Sequence, residues 1–81
     1  MVKPLPADPH NLNADRARSA DAALQVFIPL AKTDDEAALA DLLCNLMHWS
    51  DRNGIDFDGE LRRAQINYAA EITPDDGIAE D

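Results

Sequence analysis

The sequence predicts an all-α protein built from three helices. Apolar residues recur every three or four positions in three separate stretches, and no stretch shows the alternation that is typical of a half-buried strand. Helix-stop signals, above all Asn53-Gly54, separate these stretches. Because the chain has only 81 residues, we expect a single helical domain, which the pattern places at residues 13–72.

The first helix is expected to follow a flexible arm. Residues 1–12 contain three of the five prolines and no apolar periodicity, so we assign them to this arm. Asn13 is a suitable N-cap for the helix that follows. Pro29 cannot donate a hydrogen bond to the carbonyl of Gln25, which predicts a kink or an end near Ile28. The apolar stripe of this helix comprises Ala17, Ala20, Leu24, Phe27, Ile28 and Ala31.

The second helix has the clearest pattern. Thr33 and Glu36 have the spacing of a capping box, with Thr33 as the N-cap. Ser50 falls on the apolar face, where a small residue allows a neighbouring helix to approach closely. Arg52 lies in the last turn, where a cation suits the helix dipole. The apolar stripe comprises Leu39, Leu42, Leu43 and Leu46, of which we expect Leu43 and Leu46 to be buried.

The third helix is expected to begin at Asp56 or Asp58, since either residue could cap it. Four residues separate the second and third helices, and so short a connection favours an antiparallel hairpin. Residues 73–81 begin with a turn signal and continue with acids and no base, which predicts a solvated acidic tail. The apolar stripe of this helix comprises Phe57, Leu61, Ala64, Tyr68 and Ile72.

Charge and cysteine content restrict the classes of function. Seven Lys and Arg against 16 Asp and Glu give a net charge of −9, which excludes an electrostatic nucleic-acid binder and argues against docking on an anionic membrane. No apolar run reaches the roughly 18 residues that a membrane span needs. A single cysteine, Cys44, cannot form an intrachain disulfide, so we expect a cytoplasmic protein.

The sequence offers little catalytic chemistry. Cys44 and His48 share one face of the second helix with Asp41 and Asp51, but a metal site there would need further ligands from a partner. No Gly-rich phosphate loop is present, and nothing suggests an oxyanion hole beside Cys44 or Ser50. We therefore expect no enzyme activity, no cofactor and no metal.

Binding to another protein is the function that the composition favours. A short chain that is 46% hydrophobic, without a disulfide framework, is expected to bury apolar surface against a second copy or a larger partner. The partner would present a basic or apolar surface. The predicted partner-binding residues are the exposed acids together with one aromatic anchor: Asp34, Asp35, Asp41, Asp51, Asp58, Glu60 and Trp49.

Residues 38–43, residues 51–56 and the amphipathic helix after them resemble the second half of MazG-like nucleotide pyrophosphohydrolases. Those proteins are all-α, oligomeric and magnesium-dependent, and paired acids on their helices hold the metal against a triphosphate. Asp41 matches the aspartate of that family's motif, whereas Ala38 stands where the family has an acid. This resemblance implies a divergent hydrolase that would use Asp41 and Glu36 with magnesium.

Residues 46–54, followed by Asp56-Phe57, are similar to small uncharacterised proteins of proteobacterial plasmids and phages. That resemblance implies an accessory protein that inhibits host defence, as anti-restriction and anti-CRISPR proteins do. Carboxylates on a rigid scaffold could then occupy a basic groove built for phosphates. Three hypotheses therefore stand: an inhibitor of a nucleic-acid-handling defence complex, a divergent pyrophosphohydrolase, and a structural homo-oligomer whose acids serve solubility.

Overall fold

A computed structural model of the protein describes residues 4–73. Within this range the chain forms three α-helices and no strand: α1 spans Leu12–Ala31, α2 spans Ala38–Arg52 and α3 spans Phe57–Glu71. The all-α prediction is therefore confirmed, and so is the number of helices.

The start of α1 is held by a carboxylate that precedes the helix. Asp8 accepts hydrogen bonds from the backbone N–H groups of Asn13 (2.9 Å) and Ala14 (3.0 Å), which have no partner within the helix. A turn closed by the N–H of Asn11 on the carbonyl of Asp8 brings the carboxylate into reach, with Pro9 fixing the backbone. The prediction that Asn13 caps the helix is wrong, since Asn13 lies inside its first turn.

At its other end α1 continues past Pro29 to Ala31. Of the two predicted outcomes, an end near Ile28 is therefore wrong, because a proline near the C-terminus of a helix removes one hydrogen bond and the remaining turn is closed by other groups, whereas the kink stays a prediction. Lys32 takes a left-handed conformation with φ of 56°, and the N–H of Thr33 donates to the carbonyl of Ile28 at 3.2 Å. This is the bond from the second residue beyond the helix that is typical of a Schellman stop.

The predicted capping box of α2 does not form. The helix begins at Ala38, so Thr33 and Glu36 both precede it. Asp34 instead accepts a hydrogen bond from the N–H of Ala37 at 2.9 Å, and the Thr33 hydroxyl donates to the Asp41 carboxylate at 2.5 Å. Two acids therefore fix the connection between α1 and α2, hereafter the first joint, which spans residues 32–37.

The turn between α2 and α3, hereafter the second joint, follows the sequence closely. α2 ends at Arg52, Gly54 has φ of 67°, and the N–H of Ile55 donates to the carbonyl of Ser50 at 2.9 Å. Asp56 is the N-cap residue of α3, which is one of the two starts that the sequence predicts. The four connecting residues, 53–56, are those that the sequence indicated.

A third joint brings the beginning of α1 to the end of α3. The side-chain amide of Asn13 donates to the carbonyl of Glu71 at 2.8 Å, and Arg16 approaches the Glu71 carboxylate at 3.5 Å. The first joint lies at the opposite end of α1, which at 20 residues is about 30 Å long. The far end of α3 is therefore separated from the start of α2 by most of that length, so the side-by-side hairpin of the second and third helices is not confirmed.

The predicted arm and tail are not confirmed either. Residues 4–8 have no regular secondary structure, yet Leu5, Pro6 and Asp8 line a cleft against α1 and α3. The predicted tail lies outside the described residues except for Thr73, whose hydroxyl donates to the carbonyl of Ala69 at 2.7 Å.

The three joints enclose an open frame with little core. Among residues 4–73 only Ala38 (3% exposed) and Ser50 (4% exposed) are buried, one near the first joint and one near the second. The radius of gyration is 15.4 Å, against about 12 Å for a compact chain of this length. Helix ends contact one another, while the middle of each helix stays largely exposed to solvent.

Candidate interaction surface

The largest functional candidate is an uncovered apolar surface on α2. We define the leucine face as Leu39, Leu43, Leu46 and Met47, which follow one another at i, i+4, i+7 and i+8 and therefore share one side of the helix. Their exposed fractions are 63%, 39%, 38% and 49%. An exposed cluster of large apolar side chains is typical of a site that binds another protein.

The leucine face is covered at one end, where Ser50 lies one turn beyond Leu46 on the same side of α2 and is buried, and it stays open toward the start of the helix. Ala38 packs at its start, Ser50 packs near its end, and Leu42, which is half-buried, faces the interior of the frame. The apolar residues of α2 cover about half of its circumference, which is more than the ends of α1 and α3 can cover.

The prediction that Leu43 and Leu46 are buried is wrong for the single chain. Both side chains are more than a third exposed, although each lies on the apolar stripe that the sequence indicated. Ser50, in contrast, is buried as expected for a small residue at a close approach of helices. The helical period shows which side is apolar, but it contains no information about whether a neighbour covers that side.

The predicted acids are placed in two separate groups. Asp34, Asp35 and Asp41 lie at the first joint, where the carboxylates of Asp34 and Asp41 accept the hydrogen bonds described above. All three are exposed. Hydrogen bonds hold two of these three carboxylates in place, so this group is the more rigid of the two.

The second group surrounds the second joint and consists of Asp51, Asp58 and Glu60. All three are exposed, and Glu60 pairs with Arg63 one turn later at 3.7 Å. Asp41 and Asp51 are separated by about 15 Å along α2, so the two groups present separate patches of charge. Trp49, the predicted aromatic anchor, is 54% exposed and lies on the side of α2 that carries Leu42, next to the leucine face.

Sequence reasoning missed a cleft at the third joint. It has a volume of about 410 Å³, and its walls are mainly apolar, with Tyr68 and Ile72 of α3 opposite Ala14 and Ala17 of α1. Leu5 and Pro6 close one side. Leu5 is nevertheless 91% exposed, so these two residues border the cleft without being buried in it.

A metal site and a membrane-spanning helix are both absent from residues 4–73. Within residues 4–73, no three His, Cys, Asp or Glu side chains are grouped so that they could hold a metal ion. No helix in this range is both long enough and apolar enough to span a membrane. Cys44 is a free thiol on the exposed side of α2.

Comparison of the chain with protein-family models, with curated proteins and with solved structures finds no match.

Proposed function

We propose that the protein is a small acidic protein-interaction module, and the observation that supports this most is the uncovered leucine face. Burial of apolar surface is the main driving force of protein association, at about 25 cal/mol for each Å² removed from water. Among residues 4–73 only Ala38 and Ser50 are buried, so exposed apolar surface in this range is available for binding.

We further propose that the acids direct the module to a basic surface. A net charge of −9 attracts a basic partner over distances up to about the Debye length of 8 Å in physiological salt. Hydrogen bonds already hold the carboxylates of Asp34 and Asp41 at the first joint, so these two would reach a partner with little loss of side-chain freedom. A groove that binds phosphates in a nucleic-acid-handling defence complex has the matching charge, which supports the inhibitor hypothesis.

Two charge variants test this proposal. The first neutralises Asp34, Asp35 and Asp41 to Asn, and the second changes Asp51 and Asp58 to Asn and Glu60 to Gln. Each changes the net charge from −9 to −6, because three acids are removed, so the variants control for one another. The readout is phage plating on bacterial hosts that carry a restriction or CRISPR system and express each chain.

The expected result is that the natural chain restores plating and that at least one triple variant loses this effect while circular dichroism shows intact helices. Loss in only one variant would assign recognition to one joint. If no host regains plating with the natural chain, the inhibitor hypothesis is wrong. If both triple variants act like the natural chain, the acids serve solubility and recognition rests on apolar surface.

A structural homo-oligomer is the second candidate, and the open leucine face also favours it. A pyrophosphohydrolase would instead release pyrophosphate from nucleotides in a magnesium-dependent reaction. That assay separates it from both binding functions.

A further inference from the structure

We infer that a second copy of this chain covers the leucine face, so that the working form is a two-fold symmetric dimer joined through α2. The inference rests on the proposed function, since it names the first partner of the same interaction surface. Two observations carry it: the amount of surface left open and the distribution of charge along α2.

The open surface is large enough for a stable dimer. The accessible surface of the chain is 6876 Å², whereas about 4,800 Å² is expected for a compact chain of 8.9 kDa. The difference exceeds the roughly 800 Å² that each partner buries in a standard protein interface. A second copy on the leucine face would therefore remove part of this excess, about 800 Å² from each chain.

Charge distribution indicates which partner suits this face. No Asp, Glu, Lys or Arg occurs between Asp41 and Asp51, although 28% of the chain is charged. Two copies can therefore bring their leucine faces together without opposing like charges, despite −9 on each chain. A basic groove would gain no ion pair from this neutral stretch, so the leucine face and the acid groups are suited to different partners.

An antiparallel arrangement of the two α2 helices fits these residues. An axis midway between Leu43 and Leu46 places Leu43 of each copy against Leu46 of the other, as an isologous contact requires. Asp51 of each copy then lies near the acids at the start of α2 in the other, so the like charges of this dimer meet at the two ends of the paired helices and not in the neutral middle. Both acid groups remain at the rim of the dimer, free to meet a basic partner.

The test compares two substitutions of equal chemistry and equal exposure. Leu39 and Ile66 are both 63% exposed, but Ile66 lies on α3, nine residues from Phe57 and therefore on the opposite side of that helix. We expect Leu39→Asp to raise the dimer dissociation constant about tenfold or more, because it places a charge at the edge of the apolar contact. Ile66→Asp should leave it unchanged within about threefold. Sedimentation equilibrium on the full chain measures both constants, and circular dichroism checks that the helices persist.

The salt dependence of the dimer dissociation constant provides a second readout, because a complex with a basic partner would respond to salt in the opposite direction. Two chains of like charge should associate more tightly as the salt concentration rises, whereas a complex with a basic partner should weaken. The inference is overturned if the natural chain sediments as a monomer throughout the micromolar range, or if Leu39→Asp and Ile66→Asp shift the constant equally. A monomeric natural chain that still restores phage plating would refute the dimer and leave the proposed function intact.

Discussion

The two ends of α2 and its middle behave in opposite ways. Ala38 and Ser50, which lie near the ends, are buried although one is the smallest apolar residue present and the other carries a hydroxyl. Leu43, Leu46 and Met47, which lie between them, are 39%, 38% and 49% exposed although each is a large apolar residue. Burial in this protein therefore follows the position of the joints and not the hydrophobicity of the side chain.

This difference between the ends and the middle of α2 shows which contacts stabilise the single chain. Helix ends meet at joints where small residues permit close approach, and hydrogen bonds such as that of Thr33 with Asp41 fix the connections. The middle of α2 contributes little to the single chain and is available for a partner. Two substitutions in α2 and one in the second joint would break or sharpen this contrast.

The largest effect is expected for Ala38→Asp. A carboxylate at a position that is 3% exposed would be removed from water with no cation to pair with it, which should cost about 3 kcal/mol or more of the free energy of unfolding. Ala40→Asp is the matched control, because Ala40 lies in the same turn of α2 but is exposed, and it should cost less than about 0.5 kcal/mol. Urea denaturation measures both, and equal losses would contradict the assignment of the buried contact to the joint.

A smaller effect is expected for Leu43→Ala. Replacing a fully buried leucine by alanine would lower the free energy of unfolding by about 2–5 kcal/mol. Leu43 is 39% exposed, so we expect a loss of about 1.5 kcal/mol in dilute samples. The loss should grow with protein concentration if a second copy covers this side chain, because binding stabilises the folded state by mass action. A loss above about 3 kcal/mol in the most dilute sample would instead place Leu43 in the core of the single chain.

The smallest of the three effects is expected for Gly54→Ala in the second joint. Open space surrounds the position that an added Cβ would occupy, so the whole cost comes from the backbone φ of 67° and should be about 1 kcal/mol. Gly54→Asn tolerates the left-handed conformation better and should lose less. Thermal melts of the two variants compare them directly. If both matched the natural chain, the left-handed residue would contribute nothing to the joint.

The candidate surface was only partly visible in the sequence. The 3.6-residue period identified the apolar side of α2 and the small Ser50 within it, because these depend on local geometry alone. It assigned Leu43 and Leu46 to a core, since a periodic stripe looks the same whether or not another helix covers it. The acids at the two joints were identifiable as exposed charge, but their division into two groups depends on where the joints lie.

Local chemistry by itself determined the three helices and the stop at Asn53-Gly54, and it narrowed the start of α3 to Asp56 or Asp58, because each depends on residues within one or two turns. It did not determine the cap of α1, since Asp8 reaches its N–H groups only through the preceding turn, nor the role of Asn13, whose partner Glu71 lies 58 residues away. Only the tertiary structure decided which helix ends meet and that the leucine face stays largely open. Those outcomes depend on the contact between the first turn of α1 and the last turn of α3, and no local pattern encodes a contact between the two ends of the domain.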